Sequence, residues 1–327
     1  MVLLLSNLDV YSVVSMVEVL EAVEEGFREY SLGRVQMPVR VSLNIPRNEG
    51  WVGVMPVYME EKEILTTKIV TSYPKNIKHG LPNITGVLVY NDPSTGIPLA
   101  FISVEHLTAL RTGAASGVAT KYLAKNEVET LGMIGSGKQA KTQLEAISQV
   151  RDLKLVKVYS PNPQHRKTFA EEMGEKLGID IIPVESSRLA VENSDVVVTA
   201  TTSKTPVFDG KWLREGVHIN SIGAHTPDSR ELDNKTIKKS KIVVDSKDAA
   251  LRETGDLIIP MKEGIISKDS IYAELGEIVL GRKKGRTSDR EITLFKSVGL
   301  AFQDAVVAKI VYEKAKKLNL GREIRLD

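Results

Sequence analysis

The sequence predicts an α/β protein in which a doubly wound parallel sheet is inserted into an antiparallel α+β domain. Three observations lead to this fold class. The chain has 327 residues, enough for about two domains of roughly 150 residues each. Residues 35–101 have the alternation and the turn residues of an antiparallel meander. From residue 128 onwards, short apolar runs alternate with helix-length segments, as in parallel sheets covered by helices on both faces.

The composition narrows the classes of protein. The chain contains no cysteine, which excludes disulfides, thiolate catalysis and cysteine-ligated metal sites. Its 44 basic and 42 acidic residues leave a net charge of +2, so we expect no nucleic-acid or membrane partner. The opening "MVLLLSNLDVYSVV" lacks the features of a signal peptide, and no run of about 18 uncharged apolar residues is present. We therefore expect a soluble cytoplasmic protein.

The first predicted domain begins with a helix and continues as strands. Residues Ser12–Tyr30 have apolar side chains at helical spacing and charges on the opposite face, which predicts one amphipathic helix. Strands are predicted in "RVSLNI", "WVGVMPVYM", "ILTTKIVTSY", "ITGVLVYN" and "PLAFIS". A helix rich in small residues is then predicted over Leu107–Leu123.

The second predicted domain consists of strand–helix repeats. Its strands are predicted in "VETLGMIG", "LKLVKVYS", "IDIIPVE", "SDVVVTAT", "GVHINSIG" and "SKIVVDS". The charged stretch Gly281–Glu291 is interpreted as a solvated loop, with polyanion binding as the alternative. We expect Glu291–Leu318 to be helical and to return to the first domain. The predicted boundaries are 1–125 plus 300–327 for the first domain and 126–299 for the second.

A glycine-rich motif opens the second domain. It has the pattern G-x-G-x-x-A and consists of Gly135, Ser136, Gly137, Lys138, Gln139 and Ala140. The motif follows a strand that ends at Ile134 and opens a helix, which is the context of a dinucleotide-binding loop. The first glycine permits the tight turn, and the second lets the backbone approach a pyrophosphate at the positive end of the helix. The alternative is a turn that needs glycine for its geometry alone.

The end of the second strand predicts which dinucleotide is bound. An NAD site usually has an acidic side chain there, about 20 residues after the motif, to bind the ribose. This chain instead has Ser160 and Asn162, with Arg166 shortly after. Hydroxyl, amide and guanidinium groups bind a 2′-phosphate, which a carboxylate would repel. The sequence therefore predicts NADP(H) as the preferred cofactor, and the alternative is a pocket that accepts both NADP(H) and NAD(H).

Five motifs, in order along the chain, resemble one family. They are "TTKIVTSYPKN", "GVLVYNDPSTGIPLAF", "LTALRTGAASGVATKYLA", "GMIGSGKQA" and "HINSIGAHTPDSREL". On these motifs the chain resembles the ornithine cyclodeaminase / mu-crystallin / archaeal alanine dehydrogenase family over residues 40–304. The resemblance implies a homodimer. Its first domain would carry the dimer sheet and most of the substrate pocket, and a Rossmann-type domain would hold a nicotinamide cofactor.

The resemblance also implies three substrate-binding residues in the first domain. Arg40 and Arg111 match family positions that hold the substrate carboxylate, and Lys68 matches the lysine near the reacting carbon. Guanidinium groups bind carboxylates through two hydrogen bonds, and a buried lysine beside other cations has a lowered pKa that suits proton transfer. Without the resemblance, Arg40 would be a surface arginine, Arg111 a helix brace and Lys68 an outward-facing strand lysine.

Two further residues are open to more than one interpretation. His225 stands where the cyclodeaminases and the archaeal alanine dehydrogenases of the family carry an aspartate. It can act as a base or an acid at about pH 7, or contact the cofactor only. The run Pro227–Glu231 that follows is more similar to the ketimine-reducing branch around mu-crystallin. Asp304 lies in a mostly apolar helix, so it either pairs with an arginine or lysine of the pocket or packs against another buried partner.

Together these observations predict an NAD(P)-dependent oxidoreductase that acts on the C–N bond of a small α-amino or α-imino acid, of the cyclic ketimine reductase or alanine dehydrogenase type. Lys68 and His225 are the expected catalytic residues. Further cofactor-binding residues are expected at Thr112, Thr201, Thr202, Ser221, Gly223, Val298 and Gly299. No metal is expected, since the other histidines lack a metal-ligand spacing. The alternatives are an ornithine cyclodeaminase, which recycles its NAD internally, and a non-catalytic NADP-binding protein.

Overall fold

The structure is a computed structural model that describes residues 1–326, residue 77 through its backbone. The chain separates into two compact units. The first comprises Met1–Arg111 and Leu300–Asp327, and the second comprises Thr112–Gly299. The division falls within the helix Val104–Leu123, whereas the predicted boundary lies just beyond the end of that helix.

The first unit combines a set of strands with long helices, and strands alternate with helices in the second. The strands are β1 (Val2–Leu5), β2 (Val35–Gln36), β3 (Val41–Ile45), β4 (Gly50–Met59), β5 (Ile64–Ser72), β6 (Ile84–Asn91), β7 (Pro98–Ser103), β8 (Thr130–Ile134), β9 (Leu155–Tyr159), β10 (Asp180–Pro183), β11 (Val196–Thr199), β12 (His218–Ser221), β13 (Ser240–Val244), β14 (Ile271–Glu274), β15 (Ile292–Lys296) and β16 (Arg322–Ile324). The α-helices are α1 (Asn7–Val13), α2 (Met16–Ser31), α3 (Val104–Leu123), α4 (Lys138–Ser148), α5 (Pro163–Leu177), α6 (Ser187–Val191), α7 (Asn234–Lys239), α8 (Lys247–Glu253), α9 (Gly255–Lys262), α10 (Leu275–Val279) and α11 (Ala301–Lys317). Short 3₁₀ helices lie at Pro46–Asn48, Pro74–His79, Gly210–Trp212 and Lys268–Ser270.

A mixed sheet forms the centre of the first unit. Its strand order is β16-β1-β7-β6-β5-β4-β2, and β3 pairs with β4. The pairs from β3 to β7 are antiparallel, which confirms the predicted meander. Helix α11 packs against β4, β5 and β6. One row of cross-strand neighbours is buried, and it consists of Met55, Lys68, Leu88 and Ile102. The register therefore places a lysine in an apolar row.

The N-terminal helical region is two helices, so the prediction of a single helix over Ser12–Tyr30 was wrong. Helix α1 ends at Val13, and Ser15 caps α2. The Ser15 hydroxyl accepts the Glu18 N–H, and the Glu18 carboxylate accepts the Ser15 N–H at 3.0 Å. Such a reciprocal capping box starts a new helix. Apolar periodicity continues through both helices, so periodicity alone does not reveal the break between them.

The second unit contains a sheet in the order β10-β9-β8-β11-β12-β15-β13-β14. Its neighbouring strands are all parallel. The strand order runs outward from β8 in both directions, so the two halves meet between β8 and β11. This confirms the predicted doubly wound sheet. In such sheets ligands bind outside the carboxyl ends of the strands at the point where the order reverses.

Part of the predicted last helix is a strand. Ile292–Lys296 forms β15 between β12 and β13, and α11 begins only at Ala301. The prediction of helix over Glu291–Leu318 was therefore wrong for β15 and right for α11. A short buried apolar run does not reveal by its periodicity whether it is helix or strand. The preceding charged stretch Gly281–Glu291 is a loop, as predicted. Within the described residues, no helix is long and apolar enough to cross a membrane.

Candidate active site

Lys68 is a fully buried lysine of the first unit. It lies on β5, and only 1% of its surface is exposed. Its Nζ donates hydrogen bonds to Thr108 Oγ1 and Asp304 Oδ1, both at 2.7 Å. Burial lowers the pKa of Lys68 to about 8, against the opposing effect of Asp304. The nearby charges of Arg111 and Arg40 also lower it. The interpretation of Lys68 as an outward-facing lysine is therefore wrong.

Asp304, in the first turn of α11, pairs with two cations. Its Oδ1 lies 2.7 Å from Lys68 Nζ and 3.1 Å from Arg111 Nε. Burial acts to raise the pKa of Asp304, but Arg111 and Lys68 outweigh it and hold the pKa below its usual value. Its Oδ2 is buried as well, and no residue of the described range 1–326 hydrogen-bonds to it. Of the two interpretations of Asp304, pairing with an arginine and a lysine is the one observed.

The two predicted substrate arginines differ in their surroundings. Arg111 is buried, and its Nη1 donates a hydrogen bond to Gln303 Oε1 at 2.9 Å. Arg40 is half-buried, and its guanidinium carbon lies 6.0 Å from the centre of the Trp51 ring. Lys68 and Arg111 share the single carboxylate of Asp304, so these two cations exceed the one anion that pairs with them. We call this group the cationic cluster, and it consists of Arg40, Lys68, Arg111 and Asp304.

The glycine motif forms the turn between β8 and α4. Gly135 has a φ of 114°, and a Cβ there would lie 2.4 Å from the carbonyl oxygen of Ala200, so the turn requires glycine. Gly137, the N-cap of α4, has an ordinary φ of −84°. Apart from its two chain neighbours, no described residue comes within 4 Å of the place where its Cβ would lie. The fold itself therefore does not require glycine at residue 137.

Four predicted cofactor residues meet at the end of β9: Ser136, Ser160, Asn162 and Arg166. The hydroxyl of Ser160 hydrogen-bonds to that of Ser136 at 2.9 Å. Arg166 donates from Nη1 to the Ser160 carbonyl oxygen at 2.9 Å, and its guanidinium carbon lies 5.9 Å from the centre of the Tyr159 ring. Asn162 caps α5, and its side-chain oxygen accepts two backbone N–H groups of that helix. The polar groups here are hydroxyls, an amide and a guanidinium, as the sequence indicates.

Several other predicted cofactor residues give hydrogen bonds to buried carboxylates of the chain. Glu231 accepts from Thr201 and Gly223, Asp245 from Val298 and Gly299, and Asp256 from Ser221. Sequence reasoning assigned no role to these three acids. The available signal was weak: Glu231 lies inside the quoted "HTPDSREL", but its partners come from distant strand ends. The remaining predicted positions vary in exposure, with Lys138 and Thr202 exposed, Gln139 half-buried and Thr112 buried.

His225 lies on the loop that follows β12. Its side chain is exposed, and its Nδ1 lies 2.9 Å from the carbonyl oxygen of Gly223. Both interpretations of His225 are compatible with this position. His218 is fully buried and bonded to Thr293, and burial lowers its pKa to about 3, so it is a neutral core residue. Over residues 1–326 the structure contains no group of three or more potential metal ligands.

These features together define a class of protein. A doubly wound sheet with a glycine turn at its switch point is a dinucleotide-binding α/β unit, and here the same chain also buries a cationic cluster. The model of the ornithine cyclodeaminase/mu-crystallin family matches residues 2–319. The chain belongs to this family. The resemblance predicted from five motifs is confirmed, and so is the fold class.

Three relatives illustrate the similarity. The structure of Thermococcus litoralis Delta(1)-pyrroline-2-carboxylate reductase in complex with NADH and L-proline has 52% identity and a TM-score of 0.97, over 98% of this chain and 100% of that chain. An archaeal alanine dehydrogenase dimer with bound NAD has 41% identity and a TM-score of 0.95, over 100% of this chain and 99% of that chain. The Delta(1)-pyrroline-2-carboxylate reductase of Bacillus cereus is 42% identical over 312 residues, which cover 95% of this chain and 96% of the relative.

Proposed function

We propose that the protein is an NAD(P)-dependent oxidoreductase that acts on the C–N bond of a small α-amino or α-imino acid. The cationic cluster carries this proposal. Its excess positive charge suits a substrate with a carboxylate, and its buried lysine suits a nitrogen that gains or loses a proton. The relatives described above are named imino-acid reductases and an amino-acid dehydrogenase, which agrees with the reaction class predicted from the sequence.

The first substrate that we propose is Delta(1)-pyrroline-2-carboxylate, reduced to proline. The Thermococcus litoralis relative carries that name and was solved with L-proline, and the Bacillus cereus relative carries it too. The second candidate is pyruvate with ammonia, reduced to alanine, which the archaeal alanine dehydrogenase favours at 41% identity. Pyruvate condenses with ammonia to an imine and releases water, so in both cases a carboxylate lies next to an imine carbon and the same cluster would serve.

The arginines of the cationic cluster would bind the substrate carboxylate. Arg111 is held by Asp304 and by Gln303, which fixes the plane of its guanidinium before the substrate arrives. Arg40, which directly precedes β3, is half-buried and would supply a second cation. A carboxylate bound in this way fixes the adjacent C2, the carbon that is reduced.

Lys68 would supply the proton. Since its pKa is about 8, most Lys68 side chains are protonated at neutral pH, yet they give up a proton readily. Lys68 would donate to the imine nitrogen, and Asp304 stabilises the charged lysine until then. When bound, the reduced nicotinamide supplies a hydride to C2, so one hydride and one proton convert C=N into CH–NH. In the oxidative direction the neutral lysine takes the proton back. His225 is the second candidate for this proton transfer, directly or through a water molecule.

The second unit would hold the dinucleotide, with NADP(H) preferred and NAD(H) also accepted. The turn at Gly135 and Gly137 suits the pyrophosphate, and Ser160 and Arg166 suit a 2′-phosphate on the ribose. Two related structures contain NAD or NADH, so the preference for NADP(H) needs its own test. The other positions remain proposals for cofactor contacts: Thr112, Ser136, Lys138, Gln139, Asn162, Thr201, Thr202, Ser221, Gly223, Val298 and Gly299.

We also propose a homodimer that forms through the outer face of the first unit's sheet. Val41, Leu43 and Ile69 are large apolar residues on this sheet with 57%, 59% and 39% of their surface exposed. Val41 and Ile69 both lie opposite Val54, so they belong to one row across the sheet. An exposed apolar face of this kind is typical of an interface, and the archaeal relative is a dimer. A cytoplasmic location stays a prediction.

One plate of assays tests the proposed function. The purified protein is incubated with NADPH or NADH and with pyrroline-2-carboxylate, piperideine-2-carboxylate, or pyruvate plus ammonia, and oxidation of the reduced nicotinamide is followed by its absorbance. We expect oxidation with at least one of these substrates. Absence of oxidation in every well, from protein that binds the dinucleotide, would support the non-catalytic alternative. A further well contains ornithine and a catalytic amount of NAD. Release of ammonia in that well without net formation of NADH would instead support the cyclodeaminase alternative.

A further inference from the structure

A buried carboxylate connects the carboxyl ends of two neighbouring strands in the second unit. Glu231 has no exposed surface. Its carboxylate accepts from the Thr199 hydroxyl at 2.9 Å, from the Thr201 hydroxyl and N–H at 2.7 Å each, and from the Gly223 N–H at 2.7 Å. Thr199 ends β11, and Gly223 follows β12 by two residues. We call Glu231 with these three partners the Glu231 clasp.

The glycine at residue 223 is needed for this closeness. A Cβ there would lie 2.2 Å from the Thr201 carbonyl oxygen and 2.6 Å from Glu231 Oε1. Any other residue would therefore push the two loops apart or displace the carboxylate. The close approach of the two loops therefore depends on the same packing that buries the Glu231 carboxylate.

The Glu231 clasp is in turn held in place by a second buried acid, Asp256. The Glu231 N–H donates to Asp256 Oδ1 at 2.8 Å, and Asp256 forms an ion pair with Lys296 at 2.9 Å. Both members of that pair are fully buried. The loop between Gly223 and Glu231, which carries His225, is thus fixed at both of its ends. His225 is also tied to this anchor, since its Nδ1 lies 2.9 Å from the Gly223 carbonyl oxygen.

A buried carboxylate is an energetically unfavourable way to fill a core. Burial raises the pKa of Glu231, against the opposing effect of the Lys296 charge, so the charged form is held at an energetic cost. The four groups that donate to the carboxylate are neutral. An apolar side chain would fill the same space without this cost. What the carboxylate adds is a fixed position for backbone groups at the edge of the sheet where a doubly wound fold binds its ligand.

We propose that Glu231 is a positioning residue for the dinucleotide: it sets the spacing of the loops after β11 and β12 and thereby the affinity for the cofactor. The proposal rests on the proposed function in one respect, namely that the second unit binds a nicotinamide dinucleotide. Glu231 acts through Thr201 and Gly223 rather than by contact with the reacting atoms.

The test compares dinucleotide affinity with thermal stability in three variants. Glu231→Gln keeps the shape but replaces one acceptor oxygen by a donor, which then faces a hydroxyl or an N–H. Thr199→Val removes the hydrogen bond from the Thr199 hydroxyl to the Glu231 carboxylate and nearly preserves the side-chain volume. The control is Asp195→Asn, at the opposite end of β11. Asp195 precedes that strand and also accepts two backbone N–H groups, at 3.1 and 3.2 Å, and it forms ion pairs with Arg214 and Lys125 as well. The Kd values for NADPH and NADH are measured by fluorescence titration, and the Tm by thermal unfolding.

We expect Glu231→Gln to raise both Kd values by about tenfold or more, and Thr199→Val to raise them by about threefold. Asp195→Asn is expected to lower the Tm while its Kd values stay within about twofold of the wild type. If Glu231→Gln does not fold, Thr199→Val decides the outcome by itself.

Three results would overturn the proposal: two would show that the clasp is structural only, and the third would overturn the proposed function as well. A folded Glu231→Gln protein, or failing that Thr199→Val, with wild-type Kd values for both dinucleotides would show that the clasp is structural only. The same conclusion follows if Asp195→Asn weakens binding as much as the clasp variants do. Wild-type protein that binds neither NADPH nor NADH would instead overturn the proposed function and the proposal with it.

Discussion

Each unit of the molecule buries a charged cluster, and the two clusters are built differently. In the first unit a lysine and an arginine share one oxygen of Asp304, and its second oxygen has no hydrogen-bond partner among residues 1–326. In the second unit both oxygens of Glu231 are used, by donors from the ends of two strands. The first cluster has an excess of positive charge, whereas the second consists of satisfied hydrogen bonds.

The difference indicates what each cluster does. A buried group of cations that exceeds its anions is costly unless an anionic ligand completes it, so the cationic cluster suits a substrate carboxylate. A network in which every carboxylate oxygen already accepts hydrogen bonds needs no ligand to complete it. Such a network serves to hold the backbone in one position. We therefore expect substitutions in the first cluster to affect catalysis and substrate binding, and substitutions in the second to affect the dinucleotide.

The largest effect is expected from Lys68→Ala. Removal of a proton donor reduces catalysis by about two to four orders of magnitude, and we expect kcat/KM for pyrroline-2-carboxylate to fall by about a thousandfold. The Kd for the dinucleotide should not change, because Lys68 belongs to the first unit. Steady-state kinetics and a cofactor titration on the same preparation measure both quantities. Unchanged turnover in folded protein would exclude Lys68 from the chemistry.

A smaller effect is expected from Arg111→Lys. The charge is kept, but the planar fork that Asp304 and Gln303 hold in place is lost. We expect the KM for the imino acid to rise by about thirtyfold, with the KM for the dinucleotide unchanged. The measurement is a pair of substrate titrations. An equal rise of both KM values would indicate a general defect in the fold rather than loss of a carboxylate contact.

Asp304→Asn is expected to change the pH dependence more than the maximal rate. Reduction requires protonated Lys68, so kcat/KM falls as the pH rises through the lysine's pKa, which is about 8 in the wild type. Asp304 raises that pKa, and burial with Arg111 and Arg40 lowers it. Without the carboxylate the pKa falls, and the alkaline limb of the profile moves to lower pH. A limb at the wild-type position would contradict the role given to Asp304.

The smallest effect is expected from Arg166→Ala. If Arg166 binds a 2′-phosphate, this variant should bind NADPH about tenfold more weakly and NADH with nearly the wild-type affinity. The ratio of the two Kd values is the measurement, because a general disturbance of the site would change both equally. A wild type that strongly prefers NADH would by itself show the predicted cofactor preference to be wrong.

The features that the sequence predicts well are local ones. The glycine turn at Gly135 and Gly137 combines strand, turn and helix within a few residues, and the parallel strands are continuous apolar runs. Two errors occurred where periodicity alone was used. The break before Ser15 is marked by a capping box inside a continuous apolar stripe, and β15 is too short for its pattern to distinguish strand from helix.

The features that the sequence leaves open depend on long-range pairing. Asp304 had two interpretations because its partner Lys68 lies 236 residues away in the chain. No role for Glu231 was predicted from the sequence, because its partners at the ends of β11 and β12 include backbone N–H groups, which have no residue-specific signal. Only the register of the sheet brings these groups together.

The proposal that the cationic cluster binds a carboxylate can be tested with two ligands. L-proline and L-prolinamide differ at the group that Arg40 and Arg111 would bind, and each is titrated against the wild-type protein saturated with dinucleotide. We predict that L-proline binds at least about thirtyfold more tightly, and that Arg111→Lys removes most of this difference. Equal affinities for the acid and the amide in the wild-type protein would contradict the proposal.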